Sequence, residues 1–571
     1  MDFAKLTTQR GKDMPEIPWN VHPMPQLRRE RYQILNGAWD FAAWEKTQVP
    51  PAFPQKITVP FPPEARLSGI DGHFPEGYSL FYRRNFTLPA NWPKGRVLLH
   101  IGAADQYAEI YVNQQHIGDH LGGYESFCFD ITPALQPETT LLIRCTDDLN
   151  DRTQPYGKQV LPKKRGGMWY TPVSGIWQSV WLEWVPENYV NRLDISVTQT
   201  QATVTVTPAL SGTVTLDSGE EFPLVDGVAE IRPEQIHLWS PEAPYLYRFT
   251  LTAGEDSFRS YFALRTLEVK DFSGIPRLCL NGKPYFFHGL LDQGYWPEGL
   301  FTPPAPESFA DDILAMKRLG FNTLRKHIKV EPEQLYYDCD RLGMIVFQDM
   351  VNNGDYSFFR DTALPTVGMQ KRKDKNLHKH EATRQAFLAG MASTVNQLKN
   401  HPCICYWTIF NEGWGQFDSD SVYPILRALD SSRFIDTTSG WFRREKTDVD
   451  SRHIYFTPWS SLKPSDKPLV LSEFGGYACS MAGHIFNKEK AYGYRTCTDP
   501  EKLNRDLERL YYEKVIPAIS RGLCAAIYTQ VSDVEDEING LLTYDRRVCK
   551  ADEATMAAIA KAIEEAYRKL L

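Results

Sequence analysis

Two glutamates end runs of apolar, strand-like residues and are followed closely by glycines: Glu412 after CICYWTIFN, ahead of Gly413-Trp414-Gly415, and Glu473 in PLVLSEFGG. Such a pair is the minimum equipment for cleaving a glycosidic bond. One carboxyl group protonates the leaving oxygen while the other attacks the anomeric carbon if the two lie about 5–5.5 Å apart, whereas a wider gap means inversion. The proton donor needs a raised pKa, which the apolar neighbours Trp407, Phe410 and Trp414 favour by desolvation, and the nucleophile must stay ionised. Asn411, beside Glu412, is placed to hydrogen-bond a sugar hydroxyl next to the reacting carbon. Taken singly, each glutamate is equally a solvated loop carboxylate or a rim ion pair; the Asn-Glu pair and the Gly-Trp-Gly turn weigh against that reading.

Carboxylates at strand ends need a scaffold that gathers strand ends, and the second half of the chain reads as one. From about residue 270, apolar strand runs alternate with amphipathic helical stretches, giving eight strand candidates over about 300 residues, the scale of a (β/α)8 barrel whose chemistry sits where strands end. Glu412 and Glu473 then fall on the fourth and seventh strands, across the barrel mouth from each other. A doubly wound open sheet is the rival, weakened by the lack of a GxGxxG or Walker-type phosphate loop. Before the barrel the pattern is short alternating strands broken by Gly, Pro, Asn and Asp, such as RVLLHIGAAD and TTLLIRCTDD. The expected organisation is a multidomain β plus α/β chain: a jelly-roll β-sandwich over 1–186, an immunoglobulin-like β-sandwich over 187–269 and a catalytic TIM barrel over 270–571.

IFNEGWG and VLSEFGG resemble the acid/base and nucleophile signatures of glycoside hydrolase family 2, which includes β-galactosidases, β-glucuronidases and β-mannosidases. The resemblance extends through IYVNQQHIGDHLGGYESFCFDIT and GGMWYTPVSGIWQSVWLE in the first domain and LNGKPYFFHGL, GFNTLRKH and YTQVSDVEDEINGLLTYDRR in the barrel. It implies a retaining, exo-acting hydrolase that removes a terminal β-linked sugar, with Glu412 as acid/base, Glu473 as nucleophile and Asn411 on the sugar. Arg325 matches the arginine that buttresses the family's carboxylates. Further substrate-binding candidates are His288 after the first strand, Trp441 after the fifth, Tyr455 after the sixth and Tyr528 in the eighth-strand run, each weighed against plain packing or a rim hydrogen bond. The first-domain loop DLNDRTQPYGKQ is a candidate for narrowing the pocket to one terminal sugar.

The sugar itself is less legible. Where the family often has Arg-Thr-Ser-His-Tyr-Pro, this chain reads Arg325-Lys326-His327-Ile328-Lys329-Val330-Glu331-Pro332. Lys326 and Lys329, with His327 between them, are expected to hold a sugar carboxylate at the pocket mouth or to form a solvated rim. Against the first, the Asn-x-Lys pair of glucuronide-specific members is replaced by Glu537-Ile538-Asn539 before Gly540. A β-galactoside is therefore the first expectation, a β-galacturonide or β-glucuronide the alternative, and a carbohydrate-binding protein without turnover the reading from another class. The net charge of −8 argues against nucleic acid as a partner. No run of about 18 apolar residues predicts a membrane span, and the N-terminus lacks a signal-peptide core, so a soluble cytoplasmic protein is expected. The ten scattered cysteines lack metal-ligand spacing and read as free thiols. No cofactor is expected, and Glu298 is noted only as a carboxylate able to take Mg2+ or Na+. The resemblance makes a homo-oligomer the expected assembly.

Overall fold

Along Thr139–Thr146, buried and half-exposed side chains alternate without a break, which gives a strand one face for a core and one for solvent. It pairs antiparallel with Ser79–Phe86 and Tyr107–Val112 at the centre of a six-stranded sheet. A four-stranded sheet containing Val180–Val185 and Arg96–Ile101 lies opposite. Trp39, Phe41, Leu99, Ile110, Ile143 and Leu182 fill the space between them. The computed structural model describes residues 3–570 other than 76, 367, 368, 370–372, 456 and 457.

The second sandwich follows the same logic with smaller residues. Ala202–Thr207 and Val228–Ile231 belong to a three-stranded sheet, Gly212–Leu216 and Tyr247–Ala253 to a four-stranded one. Val204, Val214, Ile231, Phe249 and Leu251 meet in the core. The hairpin of Leu267–Phe272 with Ile275–Leu280 then leads into the barrel, where Arg277 donates to the carbonyls of Ile519 (2.8 Å) and Leu523 (3.2 Å).

Eight parallel strands make the barrel: β1 Phe287–Asp292, β2 Thr323–Lys326, β3 Ile345–Asp349, β4 Ile404–Asn411, β5 Phe434–Ser439, β6 Asp450–Ile454, β7 Leu469–Phe474 and β8 Leu523–Tyr528. Their hydrogen-bonded order runs β5-β4-β3-β2-β1-β8-β7-β6. The seam between β5 and β6 is spanned by side chains, with Ser439 Oγ 3.4 Å from Ser451 Oγ and 3.1 Å from His453 Nε2. Every residue of β4, β7 and β8 is buried, as expected of parallel strands covered on both faces. Helices follow most strands, among them Glu307–Arg318 after β1, Glu381–Leu398 before β4 and Pro500–Leu510 before β8. Between β5 and β6 there is none among the described residues.

The first sandwich is keyed into the barrel core: Tyr124, Tyr170, Val173 and Trp177 share one continuous cluster with Phe301, Ile328 and Val351. The Trp177 and Phe301 rings meet edge to face with centroids 5.1 Å apart.

Candidate active site

Glu412 follows the last residue of β4 and sits in left-handed backbone, φ 52°, a conformation that costs a non-glycine residue about 1–2 kcal/mol. Strain of this kind persists only where the surroundings enforce it. Here the peptide N–H of Glu412 donates to Ser439 O at 3.1 Å, and the following turn is confined. At Gly415, φ 62°, a Cβ would lie 2.3 Å from the Asn353 carbonyl oxygen, so only glycine lets the chain double back beneath Trp414.

Glu473 reaches the same place from β7. An oxygen of each carboxylate and a ring nitrogen of His453 all lie within 4.8 Å of one another. His453 Nδ1 hydrogen-bonds with Glu412 Oε1 at 2.8 Å, and its Nε2 lies 3.6 Å from Glu473 Oε1. Gly440 permits this, since a Cβ there would meet the His453 ring at 2.6 Å. Arg325, from β2, gathers the rest: Nη1 donates to Glu473 Oε1 (3.0 Å), Nη2 to Asn411 Oδ1 (2.9 Å) and Nε to Asp349 Oδ1 (3.0 Å). Tyr455 donates its hydroxyl to Glu473 Oε2 at 2.8 Å, and its ring stacks on Tyr494.

These contacts drive the two carboxyls apart. Burial pushes Glu412 up, and the neighbouring Glu473 charge adds to it, against the His453 hydrogen bond and the charge of Lys158. For Glu473 burial acts in the same upward sense, but His453, Arg325 and His327 together with the Tyr455 hydroxyl outweigh it and hold the group well below the ordinary carboxylate range. One carboxyl tends to keep its proton and the other to lose it, the division of labour that acid-assisted displacement at an acetal carbon requires.

Several residues singled out in the sequence take other places. His288 is the second residue of β1, not its end, so it lies at the opposite rim; Nδ1 bonds with Gly320 O (3.1 Å) and Nε2 with the Tyr511 hydroxyl (3.0 Å). Lys326 and Lys329 do not stand at the mouth. Lys326 Nζ lies 3.0 Å from Asp292 and 2.6 Å from Glu331. Lys329 Nζ donates to Glu331 and to the carbonyls of Gly294 (2.6 Å) and Phe301 (2.8 Å). Both side chains are at most 2% exposed, and their carboxylate partners are Asp292 at the end of β1 and Glu331 of the same run, so this basic run is internal bracing rather than an anion clamp. His327 bonds through Nδ1 to Asp349 Oδ2 at 2.7 Å. Tyr528 accepts from the Tyr477 N–H at 3.0 Å and holds the turn after β7, and Trp441 packs near His453 with ring centroids 6.2 Å apart. Glu298 accepts two hydrogen bonds from Thr8. Among the described residues, Glu412, His453 and Glu473 form the one group spaced to hold a metal ion.

The walls include residues that sequence reasoning did not name. Trp169, from the first domain, stacks on Trp414 at 5.1 Å, and Tyr356 meets both rings edge-on. The first-domain loop is pinned over the barrel: the N–H groups of Tyr156 and Gly157 donate to Asn352 O, and the Tyr156 hydroxyl donates to Gly354 O at 2.8 Å. Glu537 accepts from the Tyr170 hydroxyl and from Asn539 Nδ2.

Residues 275–494 match the model of the glycosyl hydrolases family 2 TIM barrel domain. The barrel belongs to glycosyl hydrolase family 2. A β-glucuronidase of Felis catus is 25% identical over 484 residues, covering 72% of this chain and 69% of that protein. A β-galactosidase of Thermoanaerobacter pseudethanolicus is 24% identical over 386 residues, covering 62% of this chain and 47% of that protein. In fold, the β-D-glucuronidase of Dictyoglomus thermophilum superposes with a TM-score of 0.72 at 18% identity, covering 95% of this chain and 98% of that one. The chain is thus a glycoside hydrolase with a family 2 barrel domain, whose substrate is a sugar, and no helix among the described residues is long and apolar enough to cross a membrane.

Proposed function

We propose that this glycosidase is retaining and exo-acting and that it removes terminal β-hexuronides, β-glucuronides first among them. The observation that carries the reaction is the separation of the carboxyls, oxygens of which lie within 4.8 Å; such a spacing suits direct attack on the anomeric carbon and leaves little room for the water that inversion places between them. In this reading Glu412 protonates the departing oxygen as Glu473 attacks, and then takes a proton from the water that frees the sugar. Asn411, fixed by Arg325, faces the hydroxyl next to the reacting carbon, and Tyr455 steadies the nucleophile. The aromatic wall of Trp169, Tyr356 and Trp414 and the loop pinned on Asn352 support a pocket for one terminal residue.

The sugar assignment is supported by the relatives, of which a protein named β-glucuronidase covers 72% of this chain. A β-galactoside is the second reading, favoured by the relative that carries that name. Release of 4-nitrophenol from a panel of β-glucuronide, β-galacturonide, β-galactoside, β-glucoside, β-mannoside and β-fucoside separates them. Uronide cleavage with release of the β-anomer first, followed by polarimetry, supports the proposal; cleavage of the galactoside with none of either uronide replaces it with the second reading.

A further inference from the structure

Once Lys326 and Lys329 are seen to be neutralised inside the protein, the site needs another cation if it is to receive a sugar acid, and the first domain supplies one. Lys158 lies in the loop that Asn352 holds against the barrel, and its own carbonyl accepts from the Tyr170 N–H. The residue is 6% exposed, and its ammonium sits 5.5 Å from the centroid of the Tyr170 ring. Its charge acts on Glu537, Glu473 and Glu412 and also on His327, residues that end or follow β8, β7, β4 and β2. The loop's bonds to Asn352, just beyond β3, and the ring of Tyr170, whose hydroxyl meets Glu537 after β8, hold the residue on the carboxylate side of the barrel. Yet among the described residues no carboxylate comes within ion-pair distance of it. Glu537 is engaged by Tyr170 and Asn539, and Arg165, the neighbouring cation, is committed to Glu535 at 2.8 Å.

A nearly buried lysine with no carboxylate at ion-pair distance keeps its charge available to an anion entering the pocket, where a charge-assisted hydrogen bond is strong. We infer that Lys158 is the substrate-recognition residue that receives the ring carboxylate of a β-hexuronide. This rests on the hexuronidase reading and deepens it. The surrounding charges select the type of anion: with Glu473 and Glu537 near one ammonium, a dianion such as a phosphate ester is repelled more strongly than a singly charged carboxylate. The pairing also accounts for Glu537 standing where an amide would be expected, because the cation arrives from the other domain.

The test compares intact wild-type protein with Lys158→Met, which keeps the stem and removes the charge, and Lys158→Arg, which restores it. The substrates are 4-nitrophenyl β-glucuronide and 4-nitrophenyl β-glucoside, identical but for the carboxylate. Lys158→Met is expected to lower kcat/KM for the glucuronide by about 10- to 100-fold, the range for losing a hydrogen bond to a charged group, chiefly through KM. The glucoside value should hold or rise, which also reports an intact fold, and Lys158→Arg should recover part of the discrimination. An unchanged glucuronide-to-glucoside ratio in Lys158→Met, with a wild type that cleaves glucuronides, overturns the role of Lys158 alone. Equal losses on both substrates in both variants overturn it too, as a purely structural role. A wild type that cleaves neither this glucuronide nor the galacturonide of the panel removes the underlying reading as well.

Discussion

His453 reaches Glu412 with one nitrogen and lies 3.6 Å from Glu473 with the other, so both limbs of the pH profile depend on it. In the proposed reaction Glu473 must be ionised to attack, and its lowered pKa keeps it so at pH values below the ordinary carboxylate range; activity is then expected to fall on the acid side only as pH drops through that depressed value. Glu412 must carry a proton, and its raised pKa extends activity upward, with loss as pH rises through the raised value. The His453 hydrogen bond lowers Glu412 and its charge lowers Glu473. Removing it with His453→Ala is therefore expected to move both limbs of the kcat/KM profile to higher pH, and a profile displaced downward would contradict the arrangement. Glu412→Gln should slow turnover of substrates with poor leaving groups by about 10²–10⁴-fold and abolish the alkaline limb. The cost should nearly vanish in the first step for a dinitrophenyl leaving group, which departs without a proton. Single-turnover kinetics with the two leaving groups checks both.

At the scale of the element, the turn after β4 holds Glu412 in place. Gly415→Ala forces a Cβ to 2.3 Å from the Asn353 carbonyl at φ 62°, so Trp414 must shift against Trp169. A stability loss of about 1–3 kcal/mol and a larger relative loss in kcat/KM are expected, read by thermal unfolding and steady-state kinetics of the same preparation. The strands themselves were legible in the sequence because parallel barrel strands are apolar throughout and give way to polar residues near their ends, the pattern that marks Glu412 and Glu473 as candidates, whereas Arg325, expected after the second strand, lies within β2. Position within a short strand was not legible: His288 reads as an end residue but stands second in β1, and that displacement moves it to the far rim. The meaning of Lys326 and Lys329 was hidden for another reason: the sequence does not show that the run folds inward, where Glu331 of the same run meets both ammonium groups and Asp292 at the end of β1 meets Lys326. No local pattern marks His453, which meets the carboxylates only because β6 lies beside β5 across the seam; Lys158 lies in the loop DLNDRTQPYGKQ, marked as a candidate for narrowing the pocket, but nothing in the sequence sets this lysine apart from its neighbours.

Stability and specificity are separable between the two sandwiches, and two arginines, Arg29 and Arg165, test that separation. Arg165 joins the first sandwich to the loop after β8, contacting Glu535 at 2.8 Å and Asp536 at 3.5 Å, beside the Tyr170 and Glu537 contact that borders Lys158. Arg29 instead joins the two sandwiches: it donates to Glu183 in the first at 3.0 Å and to Asp256 in the second at 2.8 Å through both Nε and Nη2, and none of these partners belongs to the barrel. Removing one member of a buried ion network costs about 3–5 kcal/mol, because the charges left behind stay desolvated. Arg29→Leu and Arg165→Leu should therefore destabilise by similar amounts and differ in function. In calorimetry, Arg29→Leu is expected to bring the second sandwich to a lower unfolding temperature, while kcat/KM at 25 °C stays within about twofold of wild type, since distant and independent sites couple weakly. Arg165→Leu should lose discrimination between charged and neutral glycosides together with stability, because it loosens the wall on which Lys158 rests. Equal kinetic damage in both variants would mean that the sandwiches act on the site as one rigid body, and equal kinetic silence would mean that the first sandwich contributes no more to the pocket than cover.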